Sequence, residues 1–276
     1  TYRNRDRDFK YELSANLSTL RNRVTSLGFG TDSYISGAYI TNVGQEIGQF
    51  YGWAYEGIAR TQEDLDNHAT QEGARIGDCL YKDVSGPDGK PDGKIDANDQ
   101  VVLGSGMPKI HFGFNARFEY QRFDLSIATF GALNYHVSDD IYNSLNSCYG
   151  WGNKEVRMLD ANRFSEDGST YLSNMPRTYV TNNASLAWND LFSSRKIQNA
   201  AYWKIANIEL GYNFPDKWFG KYVSDVRLYV SAQNLHTFTG YHGYNVDYAG
   251  GTFTPGYNFC SYPTARTFMC GVHFTF

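Results

Sequence analysis

Five carboxylates in one Gly- and Pro-rich stretch form the densest group of possible metal ligands in the chain. Calcium prefers several carboxylate oxygens on one loop, with a glycine where the loop turns sharply. The stretch from Asp92 onward has the spacing of the later half of an EF-hand-like calcium loop, but Lys90 stands where the first half needs an oxygen ligand. Two interpretations remain open: a calcium site, or a solvated acidic turn of ordinary turn-forming residues. The five carboxylates are Asp83, Asp88, Asp92, Asp96 and Asp99.

Aromatic side chains in the long polar stretches are a second group that could bind a ligand. A ring offers a large contact area at low entropic cost, and it can stack on a sugar or hold a peptide side chain. In the competing interpretation, the same rings form membrane-interface girdles or pack the loops together. The candidates for ligand contact are Tyr51, Trp53, Tyr55, Tyr149, Trp151, Tyr241, Tyr244 and Tyr257.

Covalent catalysis is the weaker hypothesis for this chain. The six histidines are scattered, and none pairs at a zinc-like spacing with a third ligand nearby. The sequence has no Gly-x-Ser-x-Gly elbow, Walker loop or dinucleotide fingerprint. A formal net charge of -4 gives no support for a nucleic-acid surface. We therefore expect a protein that is not an enzyme and does not bind nucleic acid.

The candidate residues lie between segments that alternate like β-strands. In the clearest of them, residues 266–276, Phe268, Cys270, Val272, Phe274 and Phe276 alternate with small or polar residues. This period of two indicates a strand with one apolar face. A terminal strand that ends on Phe is typical of outer-membrane β-barrels, so we expect this strand to close a sheet.

Five further segments alternate in the same way. They cover residues 9–18, 112–120, 123–128, 202–214 and 226–233. Each is about as long as a tilted strand that crosses the hydrocarbon layer. Aromatic residues make up 16% of the chain, yet no run approaches the ~18 apolar residues that a membrane helix needs. We predict an all-β protein, an antiparallel transmembrane β-barrel.

The connections between these strands differ in length. Gln121 and Arg122 form one tight turn, and a short link runs through Pro215. The other connections, at about 21–110, 131–201 and 235–265, are long. Long and short connections alternate strictly, as in outer-membrane barrels with long loops outside and short turns in the periplasm. We therefore expect the three long loops to be extracellular.

Six strands cannot close around a lumen, because open sheet edges are not tolerated in lipid and small membrane barrels have about eight strands. The missing strands are expected before Thr1, and no charged-then-apolar leader follows Thr1. We therefore interpret residues 1–276 as the C-terminal part of a larger barrel.

Eight segments in a fixed order carry a family resemblance. The first segments are GQFYGWAYEG at 48–57, GD at 77–78, YKD at 81–83 and DGKID at 92–96 with Asp99. The later ones are DIYN at 140–143, IELGY at 208–212, RLYVSAQN at 227–234 and YPTARTF at 262–268. Together they span nearly the whole chain, and they resemble segments of SusC/RagA-type TonB-dependent transporters of the Bacteroidetes.

The resemblance implies a plugged outer-membrane barrel of about 22 strands that crosses the membrane many times. It implies TonB-dependent import of an oligomeric nutrient, either a glycan fragment or an oligopeptide. A SusD-like lipoprotein would cover the outside, and the plug and TonB-contacting segment would belong to the N-terminal part, absent from this chain. Its other partners would be the remaining barrel strands and the membrane lipid.

The charged residues within the strands should face the lumen. Arg or Lys on the lipid face near the bilayer midplane costs about 2–4 kcal/mol. Lys204 breaks the pattern because it has the apolar parity of its strand, so we expect it near the outer interface, where its stem can snorkel. The residues predicted to face inward are Lys10, Glu12, Arg117, Glu119, Asp124, Glu209 and Arg227.

The four cysteines divide by location. Cys270 should act as a small hydrophobe on the lipid face, too far along extended chain from Cys260 for a disulfide. Cys79 and Cys148 fall in external loops and could form a disulfide, and Cys260 is an equal competitor for either.

Two other protein classes could share the alternating strands. A soluble carbohydrate-binding β-sandwich also has alternating strands and exposed aromatics, although the long loops and the apolar terminal strand disfavour it. A passive porin or autotransporter barrel shares the terminal strand but lacks the ordered family segments.

Overall fold

The computed structural model describes residues 1–4, 8–86, 88–149, 152–179, 188–215, 218, 223, 225–247 and 250–276. The first eight strands are β1 (Tyr2–Asn4), β2 (Phe9–Thr19), β3 (Ser33–Ser36), β4 (Tyr39–Asn42), β5 (Gln49–Trp53), β6 (Tyr55–Ile58), β7 (Cys79–Tyr81) and β8 (Gln100–Ser105). The later strands are β9 (Ile110–Tyr120), β10 (Phe123–Leu133), β11 (His136–Asp139), β12 (Gln198–Asn199), β13 (Tyr202–Asn213), β14 (Asp225–Thr239), β15 (Tyr257–Asn258) and β16 (Thr267–Thr275). The short helices are α1 (Gln62–Asp66) and α2 (Asp140–Leu145).

A seven-stranded antiparallel sheet forms the frame of the protein. Its order is β1-β2-β9-β10-β13-β14-β16, so each strand pairs with the next long strand along the chain. The six predicted strands are therefore confirmed, and the short strand β1 is an addition at the edge beside β2. Strand β14 runs to Thr239, farther than its alternating segment indicated.

The strand register separates the side chains into two faces, because directly paired residues point to the same side of a sheet. One row across the sheet is apolar: Leu13, Ala116, Ile127, Ile208, Ala232 and Phe268. The neighbouring row is mostly polar: Glu12, Arg117, Ser126, Glu209, Ser231 and Met269. We call these sides the apolar face and the polar face.

The apolar face is exposed in this chain. Phe123, Val230, Val272 and Phe268 expose 51%, 49%, 50% and 71% of their surface. Burial of an apolar side chain is worth about 1.5–3 kcal/mol, so a soluble sheet covers such a face. The β-sandwich alternative, which needs these side chains packed between two sheets, is therefore wrong.

Aromatic rings gather at both ends of the apolar face. At the tight-turn end, the ring centroids of Phe123 and Tyr212 are 4.8 Å apart. At the other end Trp203 stacks on Phe238 at 5.3 Å. Trp203 and Tyr212 are separated by about 30 Å of strand, or about 23 Å along the barrel axis for a strand tilted by ~40°. This spacing matches the apolar band of a membrane barrel between two aromatic girdles, about 25 Å.

The three long connections fold together into what we call the loop body, residues 20–109, 134–201 and 240–266 where described. It contains three small sheets, ordered β3-β4-β5-β8, β6-β7 and β12-β11-β15. Backbone hydrogen bonds join the connections, for example from Ser138 N to Gly256 O at 2.9 Å and from Tyr171 N to Arg60 O at 2.7 Å. Within the described residues, no helix is long and apolar enough to cross a membrane.

Candidate functional site: the polar face and the loop body

Ion pairs within and between strands cover the polar face toward its tight-turn end. Arg117 Nε lies 3.2 Å from Glu119 Oε1, and Lys10 Nζ lies 4.0 Å from the other oxygen of Glu119. Glu12 accepts a hydrogen bond from Arg3 at 2.7 Å. Each of these side chains is more than a third exposed, so each pair adds little stability by itself. They make the surface hydrophilic and present charge of both signs.

A more enclosed cluster centres on Arg227. Its guanidinium donates to Asp124 at 2.5 and 3.1 Å and to Glu209 Oε1 at 2.8 Å. Asp124 is 8% exposed, because the Arg227 side chain lies over it. All seven charged residues expected to face inward thus occur on the polar face. Six of them form ion pairs that join neighbouring or next-neighbouring strands: Lys10, Glu12, Glu119, Asp124, Glu209 and Arg227.

The expectation for Lys204 was wrong. The register between β13 and both neighbouring strands is irregular between Ile205 and Asn207, and this bulge reverses the alternation above it. Lys204 therefore lies on the polar face, on the opposite side of the strand from Trp203. Its side chain is buried, with 5% of the residue exposed, and its Nζ lies 3.0 Å from Asp247 Oδ2. The ammonium is 5.8 Å from the centroid of the Phe130 ring. A buried ion pair, rather than snorkelling, accommodates this charge.

A buried ion pair also joins the first and second long connections. Arg177 Nη2 donates to Asp78 Oδ2 at 2.8 Å, and Asn189 Nδ2 donates to Asp78 Oδ1 at 2.8 Å. Asp78 is 2% exposed, so its charge is supported by these donors and by the backbone N–H of Arg75. Removal of one partner from such a pair leaves an uncompensated buried charge.

Two ligand candidates, Trp53 and Tyr55, pack against the core of the loop body. They contact a buried cluster of Cys79, Tyr81 and Ile95. Trp53 Nε1 also donates to Asp96 O at 3.0 Å. Burial raises the pKa of Tyr55 and raises the pKa of the Cys79 thiol to about 12. These two aromatics therefore have a packing role in the structure, in addition to the predicted ligand role.

The other aromatic candidates are distributed over the loop body. Tyr241 is 6% exposed, and its hydroxyl donates to Asp139 and accepts from Asn258 Nδ2. Tyr244 and Tyr257 are 69% and 37% exposed. The remaining candidates are placed as follows: Tyr51 is half-buried in β5, Tyr149 contacts Tyr179 edge-to-face at 5.5 Å, and Trp151 lies outside the described residues. The described candidates thus lie on several different elements of the loop body.

The Asp-rich turn is closed by its own backbone. Asp99 is wholly buried and accepts from the N–H groups of Val84, Ser85 and Asp96 at 2.8–3.1 Å. Asp83 accepts from Asp92 N and Gly93 N at 3.3 and 2.7 Å. Asp92 and Asp96 each accept from the N–H two residues later, and Asp88 is exposed.

The described part of the chain contains no group of three or more His, Cys, Asp or Glu side chains arranged to hold a metal ion. Calcium at the Asp-rich turn therefore stays a prediction. All four cysteines are free, with Cys79 and Cys148 buried and Cys260 and Cys270 exposed. Burial raises the pKa of the Cys148 thiol to about 11, which keeps it protonated and unreactive at neutral pH.

The sequence patterns did not predict one cavity that the structure contains. It has a volume of about 720 Å³ beside helix α1 and is lined by Gln71, Arg75, Leu80 and Phe164 among others. Most of the lining comes from residues 62–80, and the fold adds Phe164 and Arg177 from the second long connection.

Comparison with known proteins finds TonB-dependent receptors among those similar to this chain. No family model matches the chain. The TonB-dependent receptor P3 of Formosa agariphila is 29% identical over 98% of the chain and 27% of the receptor. SusC of Bacteroides thetaiotaomicron, also a TonB-dependent receptor, is 24% identical over 98% of the chain and 25% of its own length. The chain is thus similar to TonB-dependent receptors, SusC among them.

Solved structures share the fold of this chain. The structure of the RagAB peptide transporter superposes with a TM-score of 0.74 at 21% identity, over 96% of the chain and 27% of that protein. A RagAB structure in the "closed-closed" state gives a TM-score of 0.73. The chain spans about a quarter of the length of these relatives, so its sheet supplies one part of a larger barrel, as the strand count predicted.

Proposed function

We propose that this chain is part of a transporter that imports oligomeric nutrients across the outer membrane in a TonB-dependent manner. The observation that carries the proposal is the contrast between the two sides of the sheet. Alternate residues form an exposed apolar face between two aromatic girdles, and the opposite face carries paired charges. Such a sheet is stable with lipid on one side and water or polar protein on the other.

The polar face would meet water, the plug or the cargo. A plug held by this surface would find charges of both signs, at Arg117 and Glu119 and at the Arg227 cluster. The edges of the sheet, β1 and β16, would pair with the remaining strands of the barrel, because unpaired edges are not stable in lipid.

The loop body would lie outside the cell, where a SusD-like lipoprotein would cover it. It is a packed unit, joined by the Asp78–Arg177 pair and anchored to the sheet by the Lys204–Asp247 pair. A rigid loop body suits a surface that a lid closes against. Cargo would be a glycan fragment or an oligopeptide, and one protein of the same fold is a peptide transporter.

Uptake measurements test the proposal. Cells that carry the complete gene are supplied with fluorescent oligopeptides or glycan fragments, and uptake is compared with strains that lack the gene or lack TonB. We expect uptake of one cargo class to require both. Uptake that continues in the strain without TonB would instead identify a passive pore.

A further inference from the structure

A small cavity lies at the loop end of the polar face, and we call it the rim cavity. Its volume is about 240 Å³, and its lining includes Lys204 and Thr237, which pair across β13 and β14. Strand β16 pairs with β14 only as far as Gln233, whereas β13 pairs with β14 as far as Thr239. The loop end of β14 therefore has no β16 partner, and residues of the third long connection form the other wall of the cavity.

The rim cavity has a mainly polar lining. Hydroxyl and amide side chains contribute much of it, among them those of Thr264, Asn234 and Asn245. Among the described residues of the lining, Val246 is the only aliphatic one, and it is 6% exposed. Pockets for apolar ligands are lined mainly by apolar side chains, so this lining suits a ligand rich in hydroxyl groups.

The charges of the lining leave one cation without a carboxylate partner. Lys204 pairs with Asp247 at 3.0 Å. Arg266 is exposed, and within the described ranges no carboxylate lies within 4.0 Å of its guanidinium. The His236 ring lies on the other side of the sheet, with its centroid 4.4 Å from that of Phe238. A ligand carboxylate would therefore find a guanidinium that can bind it with two hydrogen bonds.

Size and an exposed ring restrict the ligand further. The volume of the rim cavity lies below the roughly 300–1,000 Å³ of pockets for drug-sized ligands, so the cavity suits one sugar unit rather than a long fragment. Tyr244 belongs to the lining and is 69% exposed. Such a ring offers a large contact area at low entropic cost and can stack on the face of a sugar.

The wall formed by the third long connection is held in place by contacts with the sheet and its neighbours. Tyr135 Oη donates to Val246 O at 2.7 Å, and Thr239 Oγ1 donates to Ala201 O at 2.9 Å. The Lys204–Asp247 pair fixes the same wall. A ligand would therefore enter a preformed site, at low cost in conformational entropy.

We propose that the rim cavity binds one acidic sugar unit of an imported glycan. The carboxylate would pair with Arg266, and the sugar face would lie on the Tyr244 ring. Ring hydroxyls would form hydrogen bonds with Thr237 and Asn245. An apolar peptide side chain fits less well, because Val246 offers it little surface. The assignment rests on the import function proposed above and makes the cargo an acidic glycan.

Ligand-observed NMR titrations of the complete transporter test the proposal. The probes are D-galacturonate, D-glucuronate and the uncharged methyl ester of each, which keeps the hydroxyls and removes the charge. We expect at least one uronate to bind about tenfold more tightly than its ester. Arg266→Gln should weaken that uronate about tenfold, the value of one charge-assisted contact, and should leave the affinity of the ester unchanged.

The matched control is Arg75→Gln. Arg75 is also an exposed arginine of the loop body, and it lines the cavity beside helix α1 instead of the rim cavity. Its loss should leave the affinity for the uronate unchanged. Tyr244→Ala should weaken the uronate and the ester alike, because the ring would contact the sugar face and not the charge.

Three results would overturn the assignment: no binding of either uronate, equal affinity for uronate and ester, or equal weakening by both arginine variants. If wild-type cells still import cargo in a TonB-dependent manner, each of these results overturns this site alone. Loss of all TonB dependence would overturn the transport function itself.

Discussion

Arg227 of β14 reaches across β13 to Asp124 of β10 through the space that Gly211 leaves open. The two side chains meet at 2.5 and 3.1 Å, although their strands are not neighbours in the sheet. A Cβ atom at Gly211 would stand 2.5 Å from Arg227 Nη2 and from Asp124 Oδ1. The glycine thus permits a charge pair that ties three strands together on the polar face.

Substitution of Gly211 by valine should break this pair. The new side chain would separate Arg227 from Asp124, and we expect a loss of about 1–3 kcal/mol, the usual cost of a disrupted charged hydrogen bond. The measurement is the temperature at which the complete protein loses its heat-modifiable gel mobility. Gly240→Val is the control, because no atom lies within 4 Å of a Cβ at that position. If both variants lost their heat-modifiable mobility at the same temperature, the pair would contribute nothing to stability.

Replacement of Lys204 by methionine should loosen the third long connection. It would leave Asp247, whose side chain is 25% exposed, without its ammonium partner, and we expect a local loss of about 2–3 kcal/mol. Hydrogen exchange at residues 241–247 measures this loss. The double variant Lys204→Met/Asp247→Asn removes both charges and should restore part of the protection. Protection unchanged in the single variant would mean that the ion pair does not anchor the loop.

Acidification should weaken the contact between β11 and β15. Burial, with a smaller contribution from Lys109, lowers the pKa of His136 below its ordinary value near 6.5. The unfolded state therefore takes up a proton more readily than the folded state, and stability falls as the pH drops below about 6.5 toward the lower folded pKa. The protection factors for hydrogen exchange at residues 136–139 and 256–258, which correct for the slower intrinsic exchange at lower pH, should be smaller at pH 5.5 than at pH 7.5. His136→Gln should abolish most of that difference, and an equal difference in the variant would assign it to other groups.

The two interpretations of the Asp-rich turn predict different calorimetric results. A calcium site should release or absorb heat on titration with calcium chloride, reversibly with EDTA, and Asp88→Asn should weaken it. A solvated acidic turn should give no heat, since Asp83, Asp92, Asp96 and Asp99 already accept backbone hydrogen bonds. Absence of heat would leave the turn with a structural role alone.

The strands and their faces could be predicted because they depend on local alternation. Residues such as Leu228 and Val230 face one side wherever the strand pairs, since the side-chain period of a strand is fixed. The bulge beside Ala206 could not be predicted, because the surrounding residues include no Gly or Pro that would mark an irregularity. That single irregularity reversed the predicted side of Lys204.

The structure of the loop body could not be predicted from sequence patterns, for a different reason. Its contacts join residues that are distant in the chain, such as Cys79 N to Asn189 Oδ1 at 2.7 Å. Gly106 and Gly256 approach so closely that a Cβ at Gly256 would lie 2.7 Å from the Gly106 Cα. Such contacts have no local signature in the sequence. The aromatic candidates could therefore be named from the sequence, but their packing partners and the cavity at Gln71 could not be predicted.

A nitroxide scan along β14 of the complete protein in lipid bilayers tests the central claim most directly. Labels at Leu228, Val230 and Ala232 should be accessible to oxygen, which dissolves in lipid, and protected from a water-soluble nickel chelate. Labels at Tyr229, Ser231 and Gln233 should show the reverse preference. Accessibility without this period of two, or protection of the first set from both reagents, would contradict the assignment of the apolar face to lipid.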